Sequence, residues 1–240
     1  MALMQVEEII IHSVSVALNV FVVSIILRRL GAIKPVECIV LSLAVTDIGF
    51  SIFSLVLYIF NDWVIHRTES VTLLIALFHI SICHVLLLAY ERYMAISMPI
   101  FARVYSTIKR TTTILCVMWC LIVVIYIPVW LTSRDHEENL LTGFVISVLV
   151  LSNVILIIYG IIIFKIWRLK TPGEVKLEKQ RDRINTRAIL YCVCVGLCLI
   201  VTNAPFAMSF FLKSCRIKYL HWLMILNGPL NSLCFLVNNW

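Results

Sequence analysis

Seven long apolar stretches make up most of this chain, at about residues 9–27, 38–60, 70–90, 111–132, 139–164, 188–212 and 219–240. About 20 such residues let a helix cross the hydrocarbon core of a bilayer. In lipid a backbone amide has no water to bond, so each crossing segment must satisfy its own amides as a helix. Composition agrees. The 240 residues are 62% hydrophobic and 14% charged, where a soluble domain carries about 25% charged residues. The expected fold is an all-α membrane protein, a single seven-transmembrane helix bundle over 1–240 with helices at about 9–29, 36–60, 69–94, 111–132, 139–168, 185–212 and 219–240. No basic segment precedes the first run, which argues against a cleaved signal peptide.

Lysine and arginine in the loops set orientation. With the N-terminus outside, the inward loops hold Arg28, Arg29, Lys34, Arg92, Arg103, Lys109, Arg110, Lys165, Arg168, Lys170, Lys176, Lys179, Arg181, Arg183 and Arg187, which is 15 of the 20 basic residues. Arg67, Arg134, Lys213, Arg216 and Lys218 stay outside. The expected topology is therefore N-out, multi-pass, in the plasma membrane. The net charge of +7 belongs to a cytoplasmic face meeting anionic lipid, not to a nucleic-acid partner.

Seven of the nine cysteines fall within spans, Cys38 lies at the mouth of the second, and Cys215 is the plainly extracellular one. No extracellular intrachain disulfide is expected. Cys192-x-Cys194 points two ways on a helix and lacks neighbouring ligands, so the cysteines read as small apolar filler. The connections are short, and 99–110 and 170–185 are the longer inner ones. No internal repeat suggests a transporter built from inverted halves. No paired carboxylates, metal-binding histidine pair or nucleophile elbow suggests an enzyme. The chain ends at Trp240 in apolar sequence, as expected of a fragment or an unusually short form.

Polar residues within the spans stand out because lipid offers them no partner. Asn19 lies in the first span, Asp47 in the second, Ser81 in the third, and Asn231 with Ser232 in the seventh. Two readings stay open. The five form a wet pocket able to hold water and a sodium ion, or a protonated Asp47 bonds Asn19 as packing glue. At the end of the third run, Glu91-Arg92-Tyr93 places an acid and a guanidinium where charge just reaches water.

Seven spans with Asn19, Leu43-Ala44-x-x-Asp47, Glu91-Arg92-Tyr93, Trp119, Tyr159 and Pro205 in this order resemble the rhodopsin-like (class A) G-protein-coupled receptors over almost the whole chain. The resemblance implies that Glu91 holds Arg92 at rest. On activation Arg92 would face the cavity that admits a heterotrimeric G protein, with Tyr159 swinging in to support it. Pro205 would be the hinge of the sixth helix. Asp47 and Ser81 would hold sodium, and Ile96 and Pro99 would dock the G protein, flanked by the basic stretch 176–187. A receptor dimer is a further implied assembly.

The chain departs from that family at the opposite end. Asn203 stands where the family has tryptophan, Leu151 where it has proline, and Arg67 about where it has the cysteine of the third helix. The Asn-Pro-x-x-Tyr run is not recognisable around Asn231-Ser232. Leu74 replaces the aspartate of amine receptors, and the last 22 residues hold no lysine for retinal, so no cofactor beyond sodium is expected. The expected pocket wall is Leu74, Phe78, His79, Ser147, Asn203, Phe206, Phe210, Trp222 and Ile225. It is apolar and aromatic, suited to a small neutral or lipid-like extracellular ligand. His79 also reads as an ordinary hydrogen-bonded core histidine. The expected function is ligand-driven G-protein activation. The alternative is a non-signalling or truncated receptor-like protein that acts through a partner receptor.

Overall fold

The computed structural model describes residues 2–29, 33–59, 67–132, 137–168, 194, 198, 201–202 and 225–239. These residues form helices α1 (Ala2–Leu27), α2 (Pro35–Ile59), α3 (Arg67–Ser97), α4 (Pro99–Tyr105), α5 (Ile108–Thr132), α6 (Glu137–Arg168) and α7 (Asn227–Asn239). Five of them, α1, α2, α3, α5 and α6, are long and apolar enough to cross a membrane. They correspond to the first five apolar stretches, and α7 lies within the seventh. Pro205, Asn203, Phe206, Phe210, Trp222 and the basic stretch 176–187 lie outside the described residues.

α3 is the axis. It packs against α2, α5 and α6, while α1 packs on α2 and α7. Buried residues make up 67% of the α3 membrane window but 17% of that of α5, so α5 turns most of its surface to lipid. The 31 residues of α3 contain neither glycine nor proline and rise about 46 Å as a helix. That exceeds the hydrocarbon thickness of about 30 Å, and the last two turns carry Glu91, Arg92 and Tyr93. The core along this axis joins Val22, Ile39, Leu43, Ile82, Val85, Leu88, Val145, Ile155 and Ile162.

Two short segments finish the Arg92 end. Pro99 cannot continue α3, because its ring disfavours a helical residue before it, yet its fixed φ suits a first helical position. The segment after Met98 therefore restarts as α4, with proline in its first turn. Between α1 and α2, the Glu37 carboxylate accepts the Lys34 backbone N–H at 2.7 Å and pairs with Arg29 at 3.7 Å. The acid satisfies an otherwise open amide at the start of α2.

Candidate functional site

Three clusters of buried polar groups lie along α3, and their proton counts differ. The first centres on Asp47, which is 5% exposed. Ser81 donates its hydroxyl proton to Asp47 Oδ1 at 2.9 Å. Asp47 Oδ2 has no hydrogen-bond partner among the described residues, and neither have Asn231 Nδ2 and Asn227 Oδ1. Asn231 Nδ2 faces the carboxylate without closing a regular bond. Asn19 does not bond Asp47. Its amide donates to the Ser15 carbonyl at 2.9 Å, and its oxygen accepts the Ser232 hydroxyl at 2.7 Å. Asn19 thus ties α1 to α7, and the pairing of Asp47 with Asn19 does not form.

Ser15, Asp47, Ser51, Ser81, Asn227 and Gly228 line a small cavity beside Phe50, Leu77, Phe78 and Ile225. It leaves about 10 Å³ for the centre of a water-sized sphere, room for about one water. The Ser51 hydroxyl donates to Ser15 Oγ at 3.0 Å. At Gly228 the α7 backbone is a wall. A Cβ there would stand 3.0 Å from Ser15 Oγ and 3.5 Å from both Cβ and Cγ of Asp47. The donor set is all oxygen, with one carboxylate oxygen unpartnered, and such ligands suit a hard cation.

The second cluster ties α2, α3 and α5. Trp119 Nε1 donates to Ser42 Oγ at 3.2 Å, and an indole can only donate. The Ser42 proton goes to His84 Nε2 at 2.6 Å, which leaves Nδ1–H for the Ile80 carbonyl at 2.6 Å. Every proton has a place with His84 neutral. The His84 and Trp119 rings meet edge to face at 6.3 Å, and His84 is fully buried. Sequence reasoning found Trp119 but missed Ser42 and His84. The signal was present only as the scarcity of histidine in a membrane span.

The third cluster lies nearer the opposite end. Ser147 donates to the Phe144 carbonyl at 2.7 Å, so it accepts from His79 Nε2. His79 Nδ1 then accepts the Tyr126 hydroxyl at 2.6 Å and lies 3.2 Å from the Ile75 carbonyl. His79 and Ser147 therefore bond to each other. Of the described part of the expected pocket wall, His79 and Ser147 belong to this third cluster, Phe78 and Ile225 border the Asp47 cavity, and Leu74 is half-buried.

At the Arg92 end, the Glu91 carboxylate accepts the Ser106 hydroxyl at 2.8 Å. Arg92 is half-buried. Tyr93 carries the Lys165 ammonium 5.1 Å above its ring, which joins α3 to the end of α6. Tyr159 is buried in the core, and Ile96 packs partly against it. The exposed apolar surface is one turn further on, where α4 shows Ile100 at 83% and Val104 at 66%. The Phe101 and Tyr105 rings stack beside them at 3.8 Å. Of the two predicted docking residues, Pro99 is therefore exposed and Ile96 is not, while Ile100, Phe101 and Val104 went unnoticed in the sequence.

No curated protein matches the chain. The family described as "7 transmembrane receptor (rhodopsin family)" matches residues 18–234, a stretch that includes Asp47, His84, Glu91-Arg92-Tyr93, Tyr159 and Asn231. An all-helical chain with five spanning helices packed about α3, an acid at their centre and an acid–arginine pair at one end thus belongs to the rhodopsin family of seven-transmembrane receptors.

Proposed function

We propose that this receptor lies in the plasma membrane with its N-terminus outside and seven spans, and activates a heterotrimeric G protein at the Arg92 end. One observation carries the reading. The stiff third helix ends in Glu91-Arg92-Tyr93, and directly beyond it α4 exposes Pro99, Ile100, Phe101 and Val104. An exposed apolar patch rimmed by polar residues marks a protein or membrane interaction surface, and beside Arg92 it suits a docking protein. Arg92 supplies a charge at the cavity mouth, Tyr159 a hydroxyl behind it, and Pro205 the hinge that opens the cavity. The ligand is small and neutral or lipid-like, and it enters from the opposite end.

In the same reading the Asp47 cavity holds a sodium ion. Asp47 supplies the charge, Ser81 and Ser15 supply oxygen, and Asn227 and Gly228 wall the site from α7, with Asn231 and Ser232 one turn behind them. The ion favours the resting arrangement by bridging α2, α3 and α7.

Nucleotide exchange on purified G proteins, with the chain in lipid nanodiscs and a panel of neutral lipids, tests this reading. Arg92→Ala is expected to fold and to lose the signal, a drop of about tenfold or more. Exchange unchanged by Arg92→Ala would remove the coupling role. A second reading is favoured by Asn203 and Leu151 standing at two of the family's activation positions. In it the chain does not signal and alters a partner receptor instead. Silence of the chain alone, with a changed response of a co-expressed receptor, would select it.

A further inference from the structure

Two of the cysteines that read as filler in the sequence meet across two apolar stretches. Cys198 of the sixth stretch and Cys234 of α7 stand with their Sγ atoms 3.8 Å apart, and one thiol donates to the other. Both are free and half-buried. Each end of the contact is held. Thr202, one turn beyond Cys198, is fully buried and donates to the Cys198 carbonyl at 2.7 Å. Cys234 packs against the core that holds Phe235. Two residues earlier, the Ser232 hydroxyl ties α7 to Asn19 of α1.

We infer that Cys198 and Cys234 form a redox-modification site, which a small uncharged peroxide closes into a disulfide between the sixth apolar stretch and α7. The first sulfur attacks one oxygen of hydrogen peroxide and the O–O bond breaks. The departing oxygen takes the thiol proton and leaves as water. The sulfenic acid so formed condenses with the second thiol. Its S–O bond breaks, the S–S bond forms, and the second oxygen leaves as water with the second thiol proton. The two sulfurs have lost two electrons, and both peroxide oxygens have been reduced. A disulfide is about 2.05 Å long, so sulfurs 3.8 Å apart have about 1.8 Å to close. Rotation about the two Cα–Cβ bonds supplies a movement of that order. The functional consequence rests on the coupling reading above, in which Pro205 is the hinge. Pro205 follows Cys198 by seven residues, about 10 Å along a helix. The bridge therefore tethers the arm on the Arg92 side of the hinge to an α7 already fastened to α1, and it holds the cavity closed.

The full chain in lipid nanodiscs is treated with hydrogen peroxide, its remaining thiols are blocked with N-ethylmaleimide, and unreduced digests are mapped by mass spectrometry. A linked peptide pair carrying Cys198 and Cys234 is expected, lighter by two hydrogens than its parts, and absent from Cys198→Ser and from Cys234→Ser. The unfolding temperature should rise by about 5 °C on oxidation, fall back with dithiothreitol, and stay put in Cys198→Ala. Recovery of the two cysteines only as sulfinic or sulfonic acids, or only in links to other cysteines, would overturn the site. A linked pair with unchanged melting would overturn the tether. The lock is read without a G protein, as amide exchange over 185–198, which should slow about tenfold on bridging. Exchange as fast as in the reduced chain would remove the lock. Nucleotide exchange by G proteins separates this inference from the reading beneath it. An Arg92-dependent signal that falls about tenfold on bridging and returns with dithiothreitol supports both. A silent reduced chain counts against coupling, and the linked peptide, the melting and the amide exchange still decide the bridge.

Discussion

The Ser42–His84–Trp119 cluster and the Asp47 cluster are both buried, both centred on α2 and α3, and both composed of polar groups in a lipid-facing bundle. In the first, each donor has one acceptor and no polar atom is left over. In the second, a carboxylate oxygen and two amide atoms lack regular partners among the described residues, and Asp47 and Asn227 border a cavity. A closed network rigidifies, whereas leftover atoms around space prepare a place for something else. The difference separates a fastening from a binding site, though the residue types overlap.

The sharpest way to break the comparison is to unfasten the closed cluster. His84→Ala removes a fully buried ring and strands Ser42. It should cost about 3 kcal/mol, read as a lower unfolding temperature in detergent, with sodium dependence intact. A loss under half of that would mean that the knot does not hold the bundle.

The open cluster should respond to solution instead. For a sodium dissociation constant of about 10 mM, 100 mM sodium stabilises by about 1.4 kcal/mol. Replacing choline with sodium should raise the unfolding temperature of the native chain, and Asp47→Asn should abolish that rise. Equal melting of the native chain in both salts would leave Asp47 without its ion. Gly228→Ala is the mildest test. Its methyl group would press on Ser15 Oγ and touch Asp47, at a cost of about 1 kcal/mol, and it should weaken the sodium response. Undiminished sodium dependence in that variant would show that α7 does not wall the site.

Part of this was legible in the sequence and part was not, for physical reasons. Run length and the scarcity of charge announce helices in lipid, and Asp47 is conspicuous because an acid there needs a reason. The partners are harder. The spans are apolar all round, so periodicity does not say which face turns inward. Serines and threonines are poor guides, since many satisfy themselves. Thr46 bonds the Ser42 carbonyl and Ser54 the Phe50 carbonyl. Nothing in the string distinguishes those from Ser42, Ser15 or Ser51, which reach other helices. α4 was hidden because 99–110 reads as a connecting loop, although the ring of Pro99 can begin a helix. The shift from Ile96 to Ile100 as the exposed isoleucine follows from that restart.

The uninterrupted third helix is also a rigid beam. Without a glycine or proline to absorb a bend, a push on its Leu74 region cannot be taken up along its length. About a pivot at one end, a tilt of about 2° over about 46 Å moves the other end by about 1.6 Å. That displacement is comparable to the margin between a made and a broken contact at Glu91. Small forces far from the loop can therefore be read out there as a change of bonding, with no relay of intermediate rearrangements.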